Sequence, residues 1–363
     1  MRTGDTIHDY LRLMAEKEAS DLFCSVGAPV HIKVDGKVEP LDGLALAPGS
    51  VRDMAYSIMT ESQIRDFESN REMNLAISIG EFGRFRVNVY FQRSEIAMVV
   101  RYIRSEIPSI ESLGLPPVLK TLIMEKRGLI LVAGASGSGK STTLASMIDY
   151  RNANQSGHIL CIEDPIEFLH RHRKCVIDQR EVGIDTNSFE NALKNALREA
   201  PDVIMIGEIL DRLTMQHAIA YAETGHLCIS TLHSNNASQA IDRIVNFFPE
   251  EARAQLLLDL SLNLRGVISQ RLVPSRSGGL LPALEVMLGT PYVSELIRRG
   301  SLEEIRTAMS RSTDPGVCTF DQSLFDLYSA DSIRLEDALA HADSATDLRL
   351  RIRLSNGPVR KKD

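Results

Sequence analysis

Nowhere does the chain carry an apolar run approaching the ~20 residues that a bilayer-spanning helix needs. Its opening, Met1-Arg2-Thr3-Gly4-Asp5, leads into a charged amphipathic segment without the apolar centre of a secretory signal. These absences predict a cytoplasmic protein with no direct membrane insertion. Positive charge is also scarce. Lys and Arg number 41 against 48 Asp and Glu, a net charge of −7, so no broad basic field is available to neutralise a nucleic-acid backbone. Nucleic acid is accordingly disfavoured as a partner. The five cysteines, Cys24, Cys161, Cys175, Cys228 and Cys318, are odd in number and far apart. Without a Cys-x-x-Cys pair for zinc or redox work, they read as reduced and structural. Internal repeats and low-complexity tracts are lacking too.

What is present is ordinary globular composition: 44% hydrophobic and 25% charged residues, with 23 Gly and 14 Pro in 363 residues. That length accommodates two or three domains and a large core. Residues 1–103 read as a mixed α+β domain. Ile7, Leu11 and Met14 keep helical spacing, short apolar runs follow at Phe23–Val26 and Val30–Val34, and Asp35-Gly36 marks a hairpin turn. Between Arg84 and Gln92, Phe85, Val87, Val89 and Phe91 alternate with polar neighbours, the pattern of a strand with one buried face. Prolines and a glycine at Ile107-Pro108 and Leu113-Gly114-Leu115-Pro116-Pro117 place a linker over 104–117. From residue 118 to about 290 strand and helix signals alternate, as in a parallel α/β sheet, with strands at Leu129–Ala133, His158–Ile162, Val203–Ile206 and Leu227–Ser230. Residues 291–355 read as helical, and 356–363 as a polar tail.

Gly134-Ala135-Ser136-Gly137-Ser138-Gly139-Lys140-Ser141 fits G-x-x-x-x-G-K-[ST] and stands between an apolar strand and a helix, the context a phosphate-binding loop requires. Glycines let backbone N–H groups turn inward around phosphates, the helix start adds positive potential, and Lys140 balances the γ-phosphate. Ser141 is the expected Mg²⁺ ligand, with Thr142 closing the motif. A second strand, Asp202-Val203-Ile204-Met205-Ile206-Gly207-Glu208, ends in a carboxylate suited to organise metal and water. A third carboxylate cluster, Glu163-Asp164-Pro165-Ile166-Glu167, follows another sheet strand. On spacing alone it reads equally as a solvated turn.

These segments, followed by Thr224-Gly225-His226-Leu227 and Ser230-Thr231-Leu232-His233-Ser234-Asn235, occur in an order that resembles the Walker A, Asp box, Walker B and His box of the secretion and type IV pilus ATPases. Within that family the chain resembles the PilT/PilU retraction branch. On that resemblance it is expected to start directly with a PAS-like domain, without the extra N-terminal domain and cysteine zinc site usual in assembly ATPases. The segment Leu260-Ser261-Leu262-Asn263-Leu264-Arg265 and the ending Glu336 to Ser344 place it nearer the PilU side. The resemblance implies a PAS-like domain followed by a RecA-like P-loop ATPase domain with a helical C-terminal part. It further implies a homo-hexamer that hydrolyses ATP with Mg²⁺ to retract a pilus and drive twitching motility. Such a motor would lie at the inner face of the cytoplasmic membrane, with a PilT-like homologous ATPase and an inner-membrane platform protein as partners.

Carried over, Glu163 becomes the general base, Glu208 the partner of Mg²⁺ and its water, and His226 and His233 the γ-phosphate sensors. Arg86 and Arg101 match positions where the family carries arginines that reach an adjoining subunit's phosphates; Arg84 and Arg104 are weaker candidates. One departure stands out. Where the family typically reads x-Arg-Asp-x-Glu-Thr after Gly207-Glu208, this chain reads Ile209-Leu210-Asp211-Arg212-Leu213-Thr214. Either a charge pair is missing, so that turnover is slow or depends on a partner ring, or Leu210 and Leu213 pack together on one helical face. The alternatives are an accessory nucleotide-binding subunit with little turnover of its own and a secretion or pilus-assembly ATPase.

Overall fold

A computed structural model describes residues 6–34, 36–41, 43–103 and 106–355. They divide into two units. The first runs to Glu106 and adds Ile166–Leu169 and Gly183–Asn187; the second comprises Ile107–Pro165, His170–Val182 and the chain from Ser188 onward. Among the described residues no helix is long and apolar enough to cross a membrane. All five cysteines are unpaired, and only Cys318 is not buried. Met1–Asp5, Asp35 of the expected hairpin turn, Arg104 and the tail from residue 356 lie outside the described residues.

The first unit opens with α1 (Ile7–Glu16), where the Asp9 carboxylate accepts the Thr6 N–H at 2.9 Å and closes the helix start. Ile7, Leu11 and Met14 are buried as their spacing predicts, with Tyr10 beside them. Strands β1 (Asp21–Ser25), β2 (His31–Val34) and β3 (Lys37–Pro40) precede helices α2 (Ser50–Tyr56) and α3 (Glu61–Asn70). Strands β4 (Glu72–Ile79), β5 (Gly83–Gln92) and β6 (Glu95–Ile103) follow. They form one antiparallel sheet in the order β3-β2-β1-β6-β5-β4. The alternation along β5 is real: Phe85, Val87 and Val89 join Leu22, Met98 and Val100 in a core covered by the helices.

The second unit is built on a seven-stranded sheet. In chain order its elements are α4 (Val118–Ile123), β7 (Gly128–Ala133), α5 (Lys140–Asn154), β8 (Gly157–Glu163), β9 (Cys175–Glu181), α6 (Phe189–Ala196), β10 (Val203–Glu208), α7 (Arg212–Glu223) and β11 (Leu227–Leu232). Next come α8 (Ala237–Asn246), α9 (Glu250–Asn263), β12 (Leu264–Pro274), β13 (Leu280–Leu288), α10 (Pro291–Arg299), α11 (Ile305–Arg311), α12 (Phe320–Ser329), α13 (Leu335–His341) and α14 (Ala345–Ser355). The strand order is β13-β12-β7-β11-β10-β8-β9, parallel except for β13, which runs against β12. Every residue of β7 and β11 is buried, because helices cover both faces of a parallel sheet. Leu129 and Leu131 pack on one side with residues of α7, α8 and α9, while Ile130 and Val132 pack on the other with α4 and α5. A separate cluster joins Val273 and Ala283 of β12 and β13 to Phe320, Leu324, Ala338, Leu348 and Ile352 of the last three helices.

Candidate functional site

The loop from Gly134 to Gly139 joins β7 to α5, which opens with Lys140 and Ser141, as the motif demands, and its glycines are there for space. A Cβ on Gly134 would fall on Ser138 Oγ and within 2.7 Å of the Gln270 carbonyl oxygen. One on Gly139 would come within 2.7 Å of Gln270 Nε2. Gly137 and Gly139 also take φ of 76° and 88°, the left-handed region that side chains avoid. The loop is thus wedged against β12, where Gln270 Oε1 accepts the Thr143 hydroxyl at 2.7 Å and fixes the first turn of α5. Lys140 is nearly buried, and its ammonium donates to the carbonyls of Gly134 and Ala135 at 3.0 and 2.8 Å, which draws it across the loop. Ser138 Oγ is buried and lacks a hydrogen-bond partner among the described residues. A cleft of ≈ 350 Å³ lies against the loop, with Asn235, Gln270, Arg271 and Leu272 forming its other wall.

The strand order decides which motifs meet. β7, β11, β10 and β8 are neighbours and parallel, so the segments leaving their C-terminal ends emerge at one edge: the phosphate loop, His233, Glu208 and Glu163. Ligand chemistry in open α/β sheets belongs at that edge. A register shift between Ile206 and Glu208 turns the Glu208 side chain at the end of β10. Gly207 makes the approach possible, since a Cβ there would lie 3.3 Å from Glu163 Cα. The Ser230 and Thr231 hydroxyls donate to the carbonyls of Ile206 and Gly207 at 2.7 and 2.6 Å and hold β11 against this strand end. Glu208 Oε2 lies 3.3 Å from His233 Nε2. Glu163 is nearly buried, and its Oε1 accepts the Gln179 amide at 2.9 Å.

Other expected residues stand elsewhere. His226 does not reach the loop of its own chain. It precedes β11, its carbonyl accepts the Gly128 N–H at the start of β7, and Nδ1 lies 3.1 Å from the Thr224 hydroxyl. The whole length of β11, about 20 Å at 3.3 Å per residue, separates it from His233. His226, expected with His233 as a γ-phosphate sensor, thus stands at the other end of β11 from it. Arg86 and Arg101 face each other across β5 and β6. Arg101 has a partner in its own unit: Nε donates at 2.8 Å to Asp21, a buried carboxylate directly opposite on β1. Its interruption of an apolar strand therefore has a local cause.

The two leucines correct a further expectation. Asp211 is the N-cap of α7, accepting the Thr214 N–H at 2.8 Å, so Leu210 precedes the helix and shares no helical face with Leu213. Nor are they core: 51% of Leu210 and 37% of Leu213 is exposed.

Sequence reasoning missed Gln179, Gln270 and Arg271, whose positions depend on β9 and β12 joining the sheet beside the motif-bearing strands. It also missed Glu285 on β13, which accepts the Ala237 N–H at 2.7 Å just beyond the His233 segment. Burial pushes the Glu285 carboxyl up to about 7 against the opposing bond from the Ala237 N–H; Asp343 adds to the effect while Arg271 and Arg306 oppose it.

A Gly-rich loop with a buried lysine at a helix start, beside two strand-end glutamates on a parallel sheet, defines a P-loop nucleotide-binding protein. The signature of the type II/IV secretion system protein family matches residues 6–282, and the chain belongs to that family. It is similar to the type IV pilus ATPase PilU of Pseudomonas aeruginosa, with 54% identity over 95% of this chain and 91% of that one. With the type IV pilus retraction ATPase PilT of the same organism it shares 42% identity over 92% of this chain and 96% of the other. The crystal structure of the pilus retraction motor PilT with bound ADP superposes with a TM-score of 0.88, at 41% identity, covering 95% of this chain and 99% of that one.

Proposed function

We propose that this protein is an ATPase that drives type IV pilus retraction and twitching motility. The observation that carries the reading is the emergence of the phosphate loop, Glu163, Glu208 and His233 at one sheet edge, in a chain 54% identical to a pilus ATPase. Nucleotide phosphates bind along Gly134, Ala135, Ser136, Gly137, Ser138, Gly139, Lys140, Ser141 and Thr142. Lys140 exchanges its bonds to loop carbonyls for phosphate oxygens, and Ser138 Oγ gains the partner it lacks in the loop itself. The Ser141 hydroxyl and the Glu208 carboxylate are oxygen donors of the kind Mg²⁺ takes together with phosphate and water. Mg²⁺ held there would neutralise charge on the transferring phosphoryl group.

Glu163, oriented by Gln179, takes the proton of the attacking water, and His233 couples the γ-phosphate position to Glu208 through the contact between their side chains. Arg86 and Arg101 would act in trans, within a homo-hexamer, on a neighbouring subunit's phosphates. Arg101 must then exchange Asp21 for phosphate. In domain terms the proposal is a PAS-like domain over 1–103, a linker over 104–117, a RecA-like core over 118–290 and a helical region over 291–355. The antiparallel sheet packed on α1–α3 and the parallel sheet support the two fold assignments. Partners would be a PilT-like homologous ATPase and an inner-membrane platform protein at the cytoplasmic face of the membrane, and not nucleic acid.

Exposed Leu210 and Leu213, where relatives are expected to carry charge, favour a second reading: an accessory subunit with little turnover of its own. Hydrolysis of Mg-ATP by the purified chain, alone and mixed with a PilT-like ATPase, separates the two. Autonomous turnover that Lys140→Ala abolishes supports the motor, and turnover gained only in the mixture supports the accessory role. Twitching that is restored equally by the wild-type chain and by Lys140→Ala in a strain lacking the gene would refute the motor reading.

A further inference from the structure

Arg271, on β12, has no part in the four motifs, yet it joins several elements. Its guanidinium donates to the His341 carbonyl at 2.6 Å, to Asp343 Oδ1 at 2.6 Å and to the Asn235 carbonyl at 3.3 Å. The Phe320 ring stacks under it, 3.8 Å from the guanidinium carbon to the ring centroid. Asp343 is itself fixed, because its N–H donates to Asp321 Oδ1 at 2.8 Å and Arg306 holds Asp321 Oδ2 at 3.0 Å. One face of this arginine thus belongs to α12 and to the connection between α13 and α14. The other belongs to the cleft wall and to the segment that carries His233. Glu285 grips the same segment from β13 at Ala237, so the stretch after His233 is held at Asn235 and at Ala237 by the strands on which the C-terminal helices pack.

We propose that Arg271 is a positioning residue for nucleotide turnover, through which the C-terminal helices set where the His233 segment meets Glu208. The proposal rests on the ATPase reading of the site. A planar guanidinium can donate in three directions while stacking on a ring, which a lysine cannot reproduce. An arginine serving only to pin the last helices would have no reason to bond the Asn235 carbonyl, two residues beyond His233. It follows that a partner engaging α12–α14 can alter turnover without touching nucleotide, and that nucleotide in the cleft alters the protection of those helices, because both effects run through the same contacts.

The test uses the full chain with Arg271→Ala, Arg271→Lys and Asp343→Asn, with Glu208→Gln as the control for the site. Arg271→Ala is expected to lower kcat about tenfold or more while ADP affinity stays within about threefold, because positioning is lost and phosphate binding is kept. Asp343→Asn should shift kcat in the same direction by less, and Arg271→Lys should rescue only in part. In parallel, amide exchange across residues 335–348 is followed with and without ADP. The wild type is expected to gain protection there, and Arg271→Ala to lose that response. If Arg271→Ala unfolds, Asp343→Asn carries both measurements. Wild-type kcat in a folded variant, or exchange in 335–348 that ADP leaves unchanged in the wild type, overturns the proposal. Loss of turnover in Glu208→Gln with ADP still bound upholds the site reading whatever Arg271 does. Full turnover in that control overturns the site reading, and the exchange measurement then still decides the link between cleft and helices.

Discussion

Replacing Glu285 by Gln should make the protein more stable at neutral and alkaline pH, and the size of the gain follows from the burial of that carboxyl. Only 2% of Glu285 is exposed, and its carboxyl titrates at about 7 in the fold against an ordinary value near 4.5. A carboxyl whose value is raised by folding binds its proton more tightly in the native state. Its contribution to stability is complete below 4.5 and is lost as pH climbs through about 7. The gap between the two values corresponds to about 3 kcal/mol, lost by pH 8 in the wild type.

Glutamine cannot ionise, keeps an oxygen for the Ala237 N–H, and can donate to Ser269 Oγ, which is buried, lacks a hydrogen-bond partner among the described residues and belongs to the residue directly opposite on β12. Thermal unfolding of wild type and Glu285→Gln between pH 5.5 and 8.5 measures the difference. The wild-type midpoint should fall by several degrees relative to the variant as pH rises, at about 2–4 °C per kcal/mol for a unit of this size. Parallel curves, or a variant less stable than wild type at pH 8, would refute the reasoning, since either result means that the carboxylate is not penalised by its surroundings.

Glu163→Gln and Glu208→Gln should each leave ADP affinity within a few-fold while slowing hydrolysis by about a hundredfold or more; equal turnover in either variant removes that residue from the mechanism. Arg101→Ala leaves the buried Asp21 carboxylate without its ion-pair partner and should destabilise the first unit by about 1 kcal/mol, and mixing its subunits with Lys140→Ala subunits should restore some activity if the arginine acts in trans. Absence of rescue in rings shown to be mixed argues that Arg101 serves only its own unit. The double substitution Leu210→Arg with Leu213→Glu, at exposed positions, should change stability by no more than about 0.5 kcal/mol and raise autonomous turnover if missing charge limits it. A folded double variant that is no faster ends the idea that these leucines mark dependence on a partner.

The phosphate loop and Glu208 are legible because each is a contiguous signal, an apolar strand and then the chemistry within a few residues, whereas the Glu163 cluster reads equally as a solvated turn until the resemblance is added. The edge they share was not legible, because the order β7-β11-β10-β8 is fixed by pairings between distant segments. Gln179 and Arg271 were hidden for the same reason. The histidines show how far local reading goes. Their shared role follows from the resemblance alone, since even a strand read as Leu227–Ser230 lies between His226 and His233. The apolar run in fact continues through Leu232 as a single strand, and an extended chain carries residues on its two sides to opposite edges of the sheet.

Leu210 carried a signal that was open to reading. Asp211 followed three residues on by Thr214 is a helix-start pattern, and here the two side chains cap each other's backbone N–H groups. That pattern places the residue before Asp211 outside the helix, so the spacing of three between Leu210 and Leu213 never described a helical face. An apolar side chain half exposed ahead of a well-capped helix, two residues beyond Glu208, makes little contribution to the core. Its chemistry is therefore presented to whatever lies across from the strand end, and charge introduced there tests the environment of Glu208 with the fold held constant.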